Sequence, residues 1–185
     1  MKTNYDCERE YDFALILRGA HELTASIEDR LFEAGCDDAT LSLQYGNIYM
    51  EFSRVAPSLK DAILSAIKNV RKADAGVDVR RVDECNLVTA SEIARRIKRS
   101  RQLIHQYITG KRGPAGFPAP ECNVTEGTPL WAWCSVSYWL VQNNMIRPEE
   151  LQEAEVVDAV NTALELRHQR ARNRQLFDEV ENAIR

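Results

Sequence analysis

Hydrophobic positions along the chain switch between two periods. Over residues 11–18 (Tyr-Asp-Phe-Ala-Leu-Ile-Leu-Arg) strand formers dominate, and Gly19 ends the run, which predicts a strand. Over 22–34, Leu23, Ile27, Leu31 and Phe32 recur at helical spacing, and Gly35 supplies the stop. Residues 39–44 and 48–55 flank Tyr45, Gly46 and Asn47, the pattern of a β-hairpin. A second helix is predicted over 58–72, behind Pro57, with Leu59, Ile63, Ala66, Ile67 and Val70 as its stripe, and a last strand over 77–82.

Beyond Leu87 the pattern becomes two short helices, 91–98 and 101–109. Thr89, Ala90, Ser91 and Glu92 read as a capping box, in which the Thr89 hydroxyl accepts from a first-turn N–H and Glu92 reaches back. Ile93, Ala94 and Ile97 point inward from the first helix, and Leu103, Ile104, Tyr107 and Ile108 from the second, which Ser100 caps and Gly110 ends. A hairpin is predicted next, with strands 117–124 and 128–133 around Thr125, Glu126 and Gly127; on such a strand Trp131 and Trp133 share a face and anchor it to the helices. Pro148, Glu149 and Glu150 open a long helix with the stripe Leu151, Ala154, Val157, Val160, Ala163 and Leu164. The stripe breaks over the Arg-rich 167–175 and resumes at Leu176, Phe177, Val180 and Ile184, predicting a kink or a second short helix. These shifts divide the chain into a tail (1–10), a mixed domain (11–85), a helical and hairpin domain (86–147) and a helical arm (148–185).

Composition adds limits. A chain of 185 residues, 44% hydrophobic and 28% charged, can bury a core, which excludes a wholly disordered polypeptide. No uninterrupted apolar run exceeds five residues, and the first ten lack an apolar segment, so neither a membrane span nor a secretory signal is expected and the cytoplasm is the expected location. Cys7, Cys36, Cys85, Cys122 and Cys134 are widely spaced, without a Cys-x-x-Cys pair, and read as reduced thiols. The net charge of −4 conceals a segregation: residues 1–85 carry −5, residues 86–147 carry +5 and residues 148–185 carry −4. A cationic centre between acidic flanks points to a polyanion.

Two resemblances follow. The order β-α-β-β-α-β over 11–85 resembles the ferredoxin-like motif, giving an α+β fold class. Such a domain admits an RNA-binding sheet using Tyr49 or Phe52, a small-molecule sensor of the ACT type, or a protein-interaction or dimerisation module. The segment's acidity and the inward phase of Phe52 favour the last, which leaves a protein partner open. Residues 86–147 resemble a winged helix-turn-helix of the kind in MerR-type regulators and AlpA- or excisionase-like phage proteins. The turn departs from that pattern, with Lys98 and Arg99 where glycine and an apolar residue are usual.

This resemblance implies a sequence-specific regulator of double-stranded DNA, with 101–109 as recognition helix in the major groove and the wing on the backbone or minor groove. Its candidate DNA-binding residues are Ser100, Arg101, Gln102, His105, Gln106 and Thr109, joined by Lys111 and Arg112 on the following loop. Arg101 suits guanine, Gln102 and Gln106 suit adenine, and Ser100 with the first-turn N–H groups suits a phosphate. The apolar face of 148–185 calls for a partner, either the chain's own first domain or a second copy, and of the two a homodimer reading two half-sites about 34 to 36 Å apart is expected. Rival roles are an antitoxin-like adaptor and an excisionase-like DNA-bending factor. His21, His105 and His168 form no triad or metal spacing, so neither enzymatic activity nor a cofactor or metal is expected.

Overall fold

Burial alternates residue by residue along much of the strand 47–56, and that alternation sets the first layer of the molecule. The computed structural model describes residues 8–184; the expectation for Cys7 lies outside the described residues. The fold is mixed, and the chain divides into two compact units: residues up to Glu84 together with those from Ala159 onward, and Cys85–Asp158. Among the described residues no helix is long and apolar enough to cross a membrane.

In the first unit β1 (Arg9–Arg18), α1 (Ala25–Glu33), β2 (Ala39–Gln44), β3 (Asn47–Ala56), α2 (Leu59–Ala73) and β4 (Asp78–Val82) follow in that order. The sheet order is β2-β3-β1-β4, every neighbouring pair antiparallel. Phe13 lies opposite Phe52, Leu15 opposite Met50 and Leu17 opposite Ile48, so one face of the central pair is apolar. A bulge in β4, opposite Ile16 and Leu17, lets Val79 and Val82 both lie buried although they are three residues apart. α2 packs across β1, β3 and β4 and against α1, burying Ala62, Ile63, Ala66, Ile67 and Val70.

Several expectations shift. Arg9 and Glu10, read as tail, belong to β1. α1 begins at Ala25, because the Thr24 hydroxyl accepts from the Ile27 N–H and caps it; Phe32, read as core, is 64% exposed. The turn is Tyr45-Gly46 alone, and Asn47 pairs with Gln44. Arg54 stands at a buried β3 position that alternation reserves for an apolar side chain, yet is only 7% exposed. Its guanidinium donates to both Asp38 carboxylate oxygens (2.6 and 2.7 Å), to the Gly35 carbonyl (2.8 Å) and to Ser65 Oγ (3.0 Å), and lies over the Phe52 ring. Every direction in which it is desolvated is thus met by a partner. Asp38 is its counter-ion.

The C-terminal helices break inside the Arg-rich stretch. α6 (Pro148–Arg172) continues through Arg167, and the break comes at Asn173, whose side chain accepts from the Leu176 N–H to start α7 (Arg174–Ala183), the second short helix expected there. The buried seam of α6 is Ala154, Val157, Asn161, Leu164 and His168, a three-four spacing with polar side chains at two of five positions; Ala163, read as part of the stripe, is exposed. Asn161, 7% exposed, accepts from the Val82 N–H (2.8 Å) and donates to the Val82 and Glu84 carbonyls (3.3 and 3.1 Å), occupying the outer edge of β4. Arg167 pairs with Asp78, and Arg80 with Glu165 at 3.8 Å. Over residues 161–168 the α6 seam is therefore covered within the chain, the cis packing that the arm at 148–185 also admitted. Leu176, Val180 and Ile184 of α7 remain exposed.

His168 is 4% exposed and its Nδ1 has no hydrogen-bond partner among the described residues. Burial, with the charges of Arg18 and Arg167, pulls its pKa below the ordinary 6.5 despite Asp78 at 3.9 Å. The unfolded chain takes up this proton near pH 6.5 and the folded chain only at lower pH, so stability is lost as pH falls through the window just below 6.5. We expect urea midpoints to fall over that window, and His168→Gln to flatten the dependence. Replacing Asn161 by leucine strands the Val82 N–H beside an apolar side chain and is expected to cost about 2 kcal/mol in the same assay.

Candidate nucleic-acid interface

The second unit is built on aromatic packing. β5 (Leu87–Val88) pairs with β6 (Trp131–Ala132), and α3 (Ala90–Arg96), α4 (Arg101–Ile108) and α5 (Trp133–Gln142) complete it with the start of α6. Val88, Ile93, Ala94, Ile104, Trp131, Trp133, Val136, Trp139, Leu140 and Ala154 form one buried cluster. The predicted hairpin is reduced to a single bridge between Cys122 and Leu130, because β6 takes β5 as its partner. Trp133 is not on a strand beside Trp131 but opens α5, and both rings nonetheless enter the cluster.

Local signals account for the α3–α4 pair. Thr89 Oγ1 accepts from the Glu92 N–H at 3.2 Å, so the first half of the capping box forms. The second half is replaced: Glu92 instead grips Arg95 through two hydrogen bonds (2.8 and 2.6 Å) and Arg96 through one (3.0 Å). These bonds, Arg95's first, hold the Glu92 carboxyl at a pKa of about 2. Arg96 also lies over the Trp133 ring at 4.8 Å and donates to the Cys85 carbonyl, which makes it part of the scaffold. In the turn, Lys98 adopts a φ of 53°, the left-handed conformation in which glycine is usual, and the Arg99 N–H closes onto the Ala94 carbonyl at 2.9 Å.

Ser100 caps α4, its Oγ accepting from the Leu103 N–H at 3.2 Å. That engages one of the first-turn N–H donors assigned to a phosphate; the Ser100 hydroxyl proton and the N–H groups of Arg101 and Gln102 are what the N-terminus still offers. Ile104 is fully buried, and Arg101, Gln102, His105 and Thr109 are exposed on α4, with Gln106 half-buried. The Thr109 hydroxyl donates to the His105 carbonyl at 2.8 Å, leaving only its oxygen lone pairs for a ligand.

Lys111 and Arg112 are exposed and backbone-tethered, both N–H groups donating to the Gln106 carbonyl (2.9 and 3.3 Å). The Gly/Pro loop that follows is held by two tryptophans. Trp139 Nε1–H donates to the Ala115 carbonyl and Trp131 Nε1–H to the Pro118 carbonyl, each at 3.1 Å, while Phe117 sets its ring edge-on to Trp139 at 5.0 Å. At Gly113, φ 83°, a Cβ would sit 2.6 Å from the Tyr107 ring, so glycine lets the loop lie on α4.

The charge of this surface is one-sided. Residues 93–120 hold seven Lys or Arg and no Asp or Glu. With Arg95 and Arg96 engaged by Glu92, the exposed cations are Lys98, Arg99, Arg101, Lys111 and Arg112. Sequence reasoning treated Lys98 and Arg99 only as departures from a turn pattern; their position directly before the cap was the available signal. The bridge-closed tip, by contrast, carries Glu121 and Glu126 and no cation between residues 113 and 130. Elsewhere, burial pushes the Cys36 thiol up to about 11, which keeps it protonated near neutral pH. Comparison of the chain with protein-family models, with curated proteins and with solved structures returned no match.

Lys98 carries a side chain in a conformation that costs an L-residue about 1 kcal/mol relative to glycine. Lys98→Gly is therefore expected to raise unfolding stability by roughly that amount, read as a higher urea midpoint at unchanged slope.

Proposed function

We propose that this chain is a sequence-specific binder of double-stranded DNA, in which a ferredoxin-like βαββαβ unit accompanies a winged helix-turn-helix, and that it acts as a cytoplasmic transcriptional regulator. The antiparallel order β2-β3-β1-β4 supports the first half of that description, and α3, a short turn, α4 and a bridge-closed loop support the second. One observation carries the function: the exposed polar face of α4 is flanked at both ends by exposed cations, Lys98 and Arg99 before it and Lys111 and Arg112 after it, without a carboxylate in the stretch.

In this reading α4 enters the major groove. Arg101 offers a planar, two-point donor to guanine, and Gln102 and Gln106 offer the donor and acceptor pair that adenine presents. The four flanking cations neutralise phosphates on either side of the groove and set register. Lys111 and Arg112 take over the backbone contact expected of the wing, because Glu121 and Glu126 make its tip repel phosphate. Occupying or bending promoter DNA is the corresponding mode of action.

The test is selection of the full-length protein on a random duplex pool, followed by fluorescence anisotropy across a salt series. Lys111→Ala is expected to weaken all duplexes about equally and to reduce the slope of log affinity on log salt by about 0.9. Arg101→Ala is expected to cost about 1 to 3 kcal/mol on the selected site and to relax preference at one base pair. Failure to bind any duplex at low salt overturns the proposal.

A further inference from the structure

The two edges of the four-stranded sheet are treated differently. At β4 the outward N–H and C=O of Val82 are both taken by the Asn161 side chain. β2, at the other edge, has the sequence Ala-Thr-Leu-Ser-Leu-Gln, with neither charge nor proline, and no further strand pairs with it among the described residues. Leu43 on it is 46% exposed, and the adjoining Tyr45 is 96% exposed. A flat, neutral, uncovered edge is what soluble proteins ordinarily blunt, so this one is expected to have an occupant.

The turn decides which backbone groups that occupant meets. Tyr45 and Gly46 both have positive φ (50° and 77°), as a two-residue hairpin of the favoured twist requires. The closing pair of such a turn, here Gln44 and Asn47, is hydrogen-bonded, and so are Ser42 with Tyr49 and Thr40 with Glu51. Ala39, Leu41 and Leu43 therefore direct their N–H and C=O groups to the free edge, where, among the described residues, only the Ala39 N–H is already engaged, by the Cys36 carbonyl at 3.2 Å.

This edge is complementary to itself. With a two-fold axis at Leu41, an antiparallel copy sets Leu41 against Leu41, Ala39 against Leu43 and Thr40 against Ser42. Every outward-directed residue then meets another outward-directed residue. The apolar side chains stay on the face that carries Met50 and Phe52, and the hydroxyls meet on the opposite face. Slipping the register by one residue would set leucines against hydroxyls. A foreign peptide strand would require no such symmetry in the six residues. We propose that β2 pairs with β2 of a second copy of this chain, in this register, joining two sheets into one.

The experiment is sedimentation velocity on the full-length protein over a concentration series, without DNA, so that its failure leaves the DNA reading standing. Wild type is expected to dimerise. Thr40→Lys with Ser42→Lys puts like charges opposite each other at two symmetric places and is expected to raise the dimer Kd at least about tenfold. Thr40→Lys with Ser42→Glu sets lysine against glutamate across the axis and is expected to return the Kd to near wild type. On wild type itself, hydrogen exchange is expected to show Leu41 and Leu43 amides gaining protection with concentration while the Ser42 amide, bonded to β3, does not. A wild type that stays monomeric overturns the proposal, as does a dimer indifferent to the paired lysines or two variants that dissociate equally.

Discussion

Two indole N–H groups hold the candidate interface together. Trp131 and Trp139 are buried by the cluster that contains Ile93, Ala94 and Ile104, and a buried indole must find an acceptor. Each finds one on the loop after α4, at Pro118 and at Ala115. The loop thereby acquires a fixed path although it is rich in glycine and proline, and Lys111 and Arg112 at its start are held beside the helix they follow. The apolar core, the aromatic donors and the cationic surface of the second unit are consequences of one packing arrangement.

The first unit solves a different problem, the placing of polar groups where burial is needed. Arg54 occupies a core position of β3, and it is tolerated because a carboxylate and a carbonyl from the α1–β2 connection, a hydroxyl from α2 and an aromatic face on β3 itself meet it. Asn161 occupies a seam position of α6, and its amide reproduces the donor and acceptor pattern of a neighbouring strand. One sheet edge is closed in that way by a single side chain. The other is closed by nothing among the described residues, and this asymmetry gives β2 its significance.

Sequence reasoning reached the local features and failed where a distant partner decides. The caps at Thr89 and Ser100 are legible because donor and acceptor lie three residues apart. The polar face of α4 is legible because helical period alone sorts Arg101, Gln102 and His105 from Ile104. An apolar stripe cannot show the seam of α6, because Asn161 and His168 are part of it and Asn161 answers a strand seventy-nine residues away. The hairpin at 117–133 was overextended because alternation cannot state that β6 would pair with β5 rather than with its sequence neighbour.

Taken by itself, the amino-acid order determined the succession of helices and strands over 11–85, the α3–α4 pair with its caps at Thr89 and Ser100, and the gathering of positive charge in the central third. All of these depend on side chains within a turn or two of one another. Only the tertiary structure decided that Arg54, Asn161 and His168 are interior, that Trp133 begins a helix, that the α6 seam over 161–168 is covered in cis and which sheet edge stays open. Burial is a property of what packs from elsewhere in the chain, and no local spacing encodes it.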